Sequence, residues 1–394
     1  MPVVIIRRRK VVSPLKKRYL IFYTLLRPLV ILFLKLRFRF RYEKAKELPE
    51  KYIVLSNHAT DYDMLLVAAS FPRQMYFVGS EHIARWKIYP LLQYAFAPII
   101  RYKGAPATAT IMEMLRKVRQ GANVCMFAEG VRTWDGVTCP ILPATAKLIK
   151  TAGCGLVTYK LTGGYFASPM WCGARVRRGP VHGAPVRVFT PEQLKEMTAE
   201  EVYAAITHDL YEDAYARQLA DPKPYRGKNL AKGMENLLFR CPDCGGIDCF
   251  TSQGDTVSCR ECGLTLHYDA FGFLTGSHFR TVKELSDWQK EQVLRDVSEG
   301  KEYTAGDCVL RTVHKHEETF LGKGSIRMGP DTLRCAGMTF SMEEIADLSM
   351  HGQRAIVFTV KGTYYELIPG DGANVLKFML YFNGCKENQK VKAG

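Results

Sequence analysis

In the stretch Asn57-His58-Ala59-Thr60-Asp61-Tyr62-Asp63 an imidazole and a carboxylate stand with four residues between them. A neutral imidazole can take a proton from an alcohol, while a carboxylate on its other nitrogen fixes the tautomer and stabilises the imidazolium that forms. No serine nucleophile is required if the attacking hydroxyl belongs to a substrate. The spacing alone is weak, and Asp63 as a plain helix cap is the competing reading. Two more groups bear on the same chemistry. Ile99-Ile100-Arg101 reads as a short strand ending on a guanidinium, and Phe127-Ala128-Glu129-Gly130-Val131-Arg132-Thr133 follows another apolar run. Arginines at strand ends suit bidentate phosphate binding, and a glycine lets backbone approach a ligand closely.

These residues need elements to position them. Tyr52 to Ser56 is β-branched and apolar, and Met64 to Ala69 has helix-forming composition, so His58 falls where a strand ends and a helix begins. Further strands are expected at 74–78, 123–127 and 155–161. Helices are expected at 107–120, where Ile111, Met114, Leu115 and Val118 recur at helical spacing, and at 144–152. Alternation of this kind predicts an α/β fold with chemistry at the strand ends.

His58 to Asp63, Arg101 closing a strand, and the block 127–133 occur in an order and spacing that resembles the glycerolipid (1-acylglycerol-3-phosphate) acyltransferase family, over roughly residues 15 to 220. The resemblance implies that His58 is the base for a lipid hydroxyl and that Asp63 orients it. It implies that Arg101, Glu129, Gly130, Arg132 and Thr133 bind the glycerol phosphate, with Glu129 orienting Arg132 or holding the glycerol. It also implies an acyl thioester donor carried by coenzyme A or acyl carrier protein. The chain departs from the family pattern at Ala95 and Pro98 in the second block. Ala128 and Val131 stand for the usual Pro and Thr of the third, and Thr158 for a proline of the fourth.

Beyond a linker around Pro222 and Pro224, Cys241-Pro-Asp-Cys244 and Cys259-Arg-Glu-Cys262 form two matched knuckles, each followed by a glycine. Four thiolates with no open position predict a closed structural zinc site, and the segment resembles a zinc ribbon. Val282 to Glu299 reads as a polar helical spacer. From about 302 the period drops to two, with strands expected at 309–312, 324–328, 332–335, 356–360 and 363–367 and a last helix at 374–382. Several strands closed by one helix resemble a pleckstrin-homology-like barrel.

Composition narrows the setting. The chain has 394 residues and a net charge of +16, and its first 46 residues hold fourteen Lys or Arg against one Glu, thirteen of the sixteen charges. Tyr19 to Leu36 is apolar but broken by Arg27, Pro28 and Lys35, with basic flanks on both sides. Charge so local predicts a kinked helix or helix pair lying in the interface of an anionic bilayer, with a single true span as the alternative. No cleavable secretory signal is apparent, so the cytoplasmic face of the cell membrane is expected. The ribbon is close to balanced, with Arg240 and Arg260 against Asp243, Asp248, Asp255 and Glu261, so no nucleic acid is expected. The domain expectation is a basic amphipathic anchor at 1–46, an acyltransferase domain at 47–225, a zinc ribbon at 236–275, a helical spacer at 276–301 and a β-rich domain at 302–390. The function expected is transfer of an acyl chain from a thioester to lysophosphatidate at a membrane. Alternatives are another lysolipid or amino-lipid acceptor, or a zinc-ribbon nucleic-acid-binding or regulatory protein.

Overall fold

Helix α1 (Lys17–Phe38) runs unbroken through Pro28. Of the two expected forms, a kinked helix or a helix pair, one continuous helix excludes the pair. The proline removes one backbone donor, but the helix is held from outside at the preceding turn. The Arg27 guanidinium donates to the carbonyl of Ala69 at 2.8 Å, and the Tyr23 hydroxyl lies 2.7 Å from the carbonyls of both Ala68 and Phe71. These carbonyls are the open C-terminal end of helix α2 (Asp63–Ser70). The computed structural model describes residues 17–101, 107–173, 175–314, 317–370 and 372–393; the basic residues before Lys17 lie outside the described residues.

The α/β unit is built on β1 (Arg41–Tyr42), β2 (Tyr52–Ser56), β3 (Met75–Ser80), β4 (Ile99–Arg101), β5 (Asn123–Phe127), β6 (Gly155–Thr162) and β7 (His182–Phe189), in the order β1-β7-β6-β2-β5-β3-β4. Strands β2 to β6 are mutually parallel, and β7 runs antiparallel to β6. Every residue of β2 is buried, as a central parallel strand covered on both faces requires. The crossovers carry α2, α3 (Tyr89–Phe96), α4 (Thr108–Arg119) and α5 (Ala144–Ala152), with the short α6 (Gly164–Ala167) after β6. Helices α7 (Pro191–Glu196), α8 (Ala199–Leu210) and α9 (Ala214–Ala220) follow β7. His58, Arg101 and the 127–133 block therefore all leave the carboxyl edge of one sheet, where open α/β folds bind ligands.

The departure at Thr158 has a local explanation. Its hydroxyl donates to buried Asp209 of α8 at 2.8 Å, and Arg187 of β7 grips the same carboxylate at 2.7 Å. Ala128 likewise uses a donor that proline lacks, its amide reaching the Ser56 carbonyl at 3.2 Å.

The ribbon is a four-stranded antiparallel sheet of β8 (Phe250–Gln253), β9 (Thr256–Cys259), β10 (Thr265–Tyr268) and β11 (Leu274–Thr275). The last sheet holds β12 (Tyr303–His314), β13 (Glu317–Met328), β14 (Thr332–Cys335), β15 (Met338–Ser341), β16 (Ile345–His351), β17 (Ala355–Val360) and β18 (Thr363–Pro369), in the order β15-β14-β13-β12-β18-β17-β16. Strands β15 and β16 escape the period-two reading. In β16 a register shift between Ile345 and Leu348 breaks the alternation.

Helix α10 (Val282–Ser298) does more than space the two sheets. Its Gln289 accepts the amides of Phe239 and Arg240 at 2.8 and 3.0 Å, and its buried Asp296 pairs with Arg240 and accepts from the Tyr303 hydroxyl at 2.9 Å. Its apolar side packs along the final helix, α11 (Leu376–Ala393). One contiguous core joins Val157 and Trp171 of the α/β unit, Leu266 of the ribbon, Val293 of α10 and Phe358 and Phe382 beyond.

Candidate active site

Asp63 opens α2 and is fully buried, yet both of its oxygens find donors. Its Oδ2 accepts the amides of Ala59 and Thr60 at 2.6 and 2.9 Å, and its Oδ1 accepts the Thr60 hydroxyl at 2.7 Å. The turn is thus folded around the carboxylate. His58 Nδ1 sits 2.8 Å from the same Oδ2, and the imidazole stacks on Phe127, ring centres 4.2 Å apart and planes within 15°. With Nδ1 engaged, Nε2 is the nitrogen left for chemistry, on a side chain 22% exposed. Asn57 completes the support by exchanging two 2.8 Å hydrogen bonds with the backbone of Leu161 on β6.

Glu129 leaves the end of the neighbouring strand β5, and its carboxyl turns inward. Oε1 accepts the His58 amide at 2.6 Å and Oε2 the Cys139 amide at 2.5 Å. Burial pushes its pKa up to about 8, against the pull of those two amides. Both oxygens are spent on backbone, so Glu129 braces the loop that carries the histidine. The Arg132 guanidinium, which Glu129 was expected to orient if it did not hold the glycerol, meets Asp61 instead at 2.8 Å. Gly130 holds φ at +70°, and a Cβ there would point into open space, so conformation rather than crowding asks for glycine. Thr133 is buried, and its amide donates to the His58 carbonyl at 3.0 Å. The two loops are therefore stitched together on both sides of His58. Arg101 ends β4 in register with Ser80 of β3. It lies three strands from β2 on the same edge, roughly 14 Å away at the usual strand spacing.

The structure thus brings His58, Asp63, Glu129, Arg132 and Thr133 into one cluster, with Arg101 farther along the rim. Phe127 and Thr60 belong to the cluster without having been singled out from the sequence, and Asp61 joins it as the partner of Arg132. Phe127 sits in the quoted block and two residues before Glu129, which was the available signal.

In the ribbon the four thiols of Cys241, Cys244, Cys259 and Cys262 lie within 4.8 Å of one another. Cys241 and Cys262 are 3.6 Å apart and Cys244 and Cys259 3.7 Å. A tetrahedron with zinc–sulfur bonds of about 2.3 Å has edges of about 3.8 Å, so the donor set fits the ion. Gly245 and Gly263 take positive φ, +77° and +79°, and close each knuckle by donating an amide hydrogen bond back to the carbonyl of Cys241 or Cys259. Cys249 points to the Gly246 carbonyl instead.

Along α1, Leu25, Leu29 and Leu36 are exposed, and so are Trp86, Ile88, Leu91 and Tyr94 in and before α3. The two helices touch through Phe22 and Tyr94, and Arg18 covers the Tyr94 ring. By length and composition α1 is the one described helix apolar enough to cross a membrane.

Residues 39–162 match the family model described as Acyltransferase. That stretch contains His58, Asp63, Arg101, Glu129, Gly130, Arg132 and Thr133. Among solved structures, the chain is similar to the crystal structure of the 1-acyl-sn-glycerophosphate (LPA) acyltransferase PlsC from Thermotoga maritima, at 16% identity and a TM-score of 0.41, covering 53% of this chain and 86% of that one. A search of curated proteins found no match.

Proposed function

Starting from an acyltransferase domain at residues 39–162, we propose that the protein moves an acyl chain from a thioester to the free hydroxyl of lysophosphatidate at a membrane surface. The observation that carries this reading is the buried Asp63, hydrogen-bonded through both oxygens and holding His58 Nδ1, with Arg132 beside it at the same strand edge. His58 Nε2 removes the hydroxyl proton as the oxygen attacks the thioester carbonyl. Asp63 stabilises the imidazolium meanwhile. When the tetrahedral adduct collapses, the carbon–sulfur bond breaks and the proton leaves with the thiol. An ester and a free thiol are the products.

Arg132 supplies a guanidinium for the phosphate, which displaces exposed Asp61 from it, and Arg101 offers a second cation along the rim. Glu129, Gly130 and Thr133 shape the loop that presents Arg132. The four cysteines hold a structural zinc ion that contributes folding energy to the ribbon. The exposed leucines of α1 and the Trp86–Tyr94 segment enter the bilayer interface from the cytoplasmic side, and the basic residues meet anionic head groups. Because Tyr23 and Arg27 tie α1 along the α/β unit, a helix lying in the interface fits better than a free span.

The test is product analysis with purified protein, lysophosphatidate, and acyl-coenzyme A or acyl carrier protein thioesters. Phosphatidate should form with one donor class and vanish in His58→Ala. Equal use of acceptors lacking a phosphate monoester would remove the lysophosphatidate assignment and leave the acyltransferase one.

A further inference from the structure

Between β5 and α5 the chain runs through 128–143 without a helix or strand of its own, and this loop carries Glu129, Gly130, Arg132 and Thr133. A loop of that length needs external support to hold a site. Part of the support comes from the α8–α9 junction, where Thr138 and Gly136 bond the backbone of Glu212 and Ala214. A further part comes from Asp135, 7% exposed. Its Oδ1 accepts the Thr133 hydroxyl at 3.3 Å and the Val137 amide at 3.2 Å. Its Oδ2 accepts Lys290 Nζ at 2.5 Å and the Ser286 hydroxyl at 3.5 Å, both from α10. Thr133 Oγ1 in turn receives the Gly136 amide at 3.0 Å, while the Thr133 amide reaches the His58 carbonyl. A continuous chain of polar contacts therefore leads from a helix beyond the ribbon to the backbone of the general base, passing the residue next to Arg132.

We infer that Lys290 is a positioning residue for the acceptor site. Through Asp135 it fixes the Thr133–Gly136 turn, which makes the C-terminal half a working part of the site. The activity arm of this inference rests on the acyl-transfer reading above. The charges explain why one lysine matters. Among the described residues Lys290 is the cation that reaches Asp135, whereas Asp287, its other partner at 3.0 Å, also holds Lys283 at 2.8 Å. Removing the Lys290 ammonium leaves Asp287 paired and nearly buried Asp135 without the cation in contact with it, which forces the turn to reopen toward water. Helix α10 is a firm base, since Gln289 and Asp296 bind it to the ribbon. A second contact from the same half meets the edge elsewhere: the Tyr364 hydroxyl donates to Glu81, at the end of β3, at 3.0 Å.

The test uses the full chain with Lys290→Met and Lys290→Arg, read in two ways. Amide hydrogen exchange needs no substrate. In Lys290→Met it should speed up roughly tenfold or more at Thr133, Gly136 and Val137 and stay level in β2 and β5, and Lys290→Arg should restore it. In kinetics with lysophosphatidate and the active thioester, Lys290→Met should raise the acceptor KM by roughly 5- to 30-fold, with the donor KM within about twofold. Unchanged exchange in the loop overturns the inference. So does faster exchange across the whole chain with both KM values unmoved, since that marks a purely structural ion pair. If loop exchange responds but wild-type protein transfers no acyl group, the latch stands and the acyl-transfer reading falls.

Discussion

Replacing Asp63 by asparagine separates its electrical role from its structural one. Three donors converge on Oδ2 and one on Oδ1. Asparagine can keep its single carbonyl at the Oδ2 position and turn its amide toward the Thr60 hydroxyl, which can accept. The turn then survives, but His58 loses the negative charge beside Nδ1. An imidazolium and a carboxylate centred about 4 Å apart attract by about 4 kcal/mol at an effective dielectric near 20, and each 1.36 kcal/mol is a factor of ten in rate. The turnover number of Asp63→Asn should therefore fall about a thousandfold. Its melting temperature should stay within a few degrees of wild type. Asp63→Ala should be equally slow and also unstable, because two amides and a hydroxyl lose their acceptor in a buried site at about 1–3 kcal/mol each. Single-turnover acyl transfer and thermal unfolding of both variants give the comparison. A folded Asp63→Asn enzyme within tenfold of wild-type turnover would refute the charge argument and reduce Asp63 to a turn-forming residue.

Arg132→Lys should fold normally and lose its phosphate contact, costing roughly 2–5 kcal/mol, seen as an acceptor KM raised at least about tenfold with the thioester KM nearly unchanged. Parallel shifts in both parameters would point to a role in loop shape instead. For Glu129, the folded pKa of about 8 lies above the ordinary carboxyl value. Its stabilising contribution is complete below the unfolded pKa and is lost as pH rises through about 8. Glu129→Gln should flatten stability against pH between about 4.5 and 8, read from denaturant midpoints, and a retained slope would assign it to another group. Cys241→Ser should lose its zinc by metal analysis and unfold at lower temperature, whereas normal metal content in that variant would remove Cys241 from the ligand set.

Much of the α/β unit was legible because its strands are short apolar runs and its helices strongly periodic. β2, α2, β5 and α5 fall where composition put them. The Cys-x-x-Cys knuckles and their glycines were equally plain. What stayed hidden depends on contacts between distant loops. Arg132 and Glu129, three residues apart, look like partners in sequence. In space the buried carboxyl faces the backbone of His58, and the guanidinium finds Asp61. No periodicity encodes that choice. Helix α10 reads as polar because Gln289, Lys290 and Asp296 are polar, yet those residues grip the ribbon and the loop. The proline in α1 suggests a break into two helices, yet one continuous helix forms, anchored by Tyr23 and Arg27.

The anchoring of α1 bears on how the protein can be handled. Exposed leucines make residues 17–38 an obvious segment to delete for soluble expression. Yet Tyr23 and Arg27 occupy the last carbonyls of α2, and the first residue of α2 is Asp63. Cutting at residue 39 would uncap an eight-residue helix at one end while asking its other end to hold a buried carboxylate in place. A truncated preparation that proves inactive would thus say nothing about the need for lipid. Masking the leucines by substitution, with Tyr23 and Arg27 left intact, is the route that keeps the two questions apart.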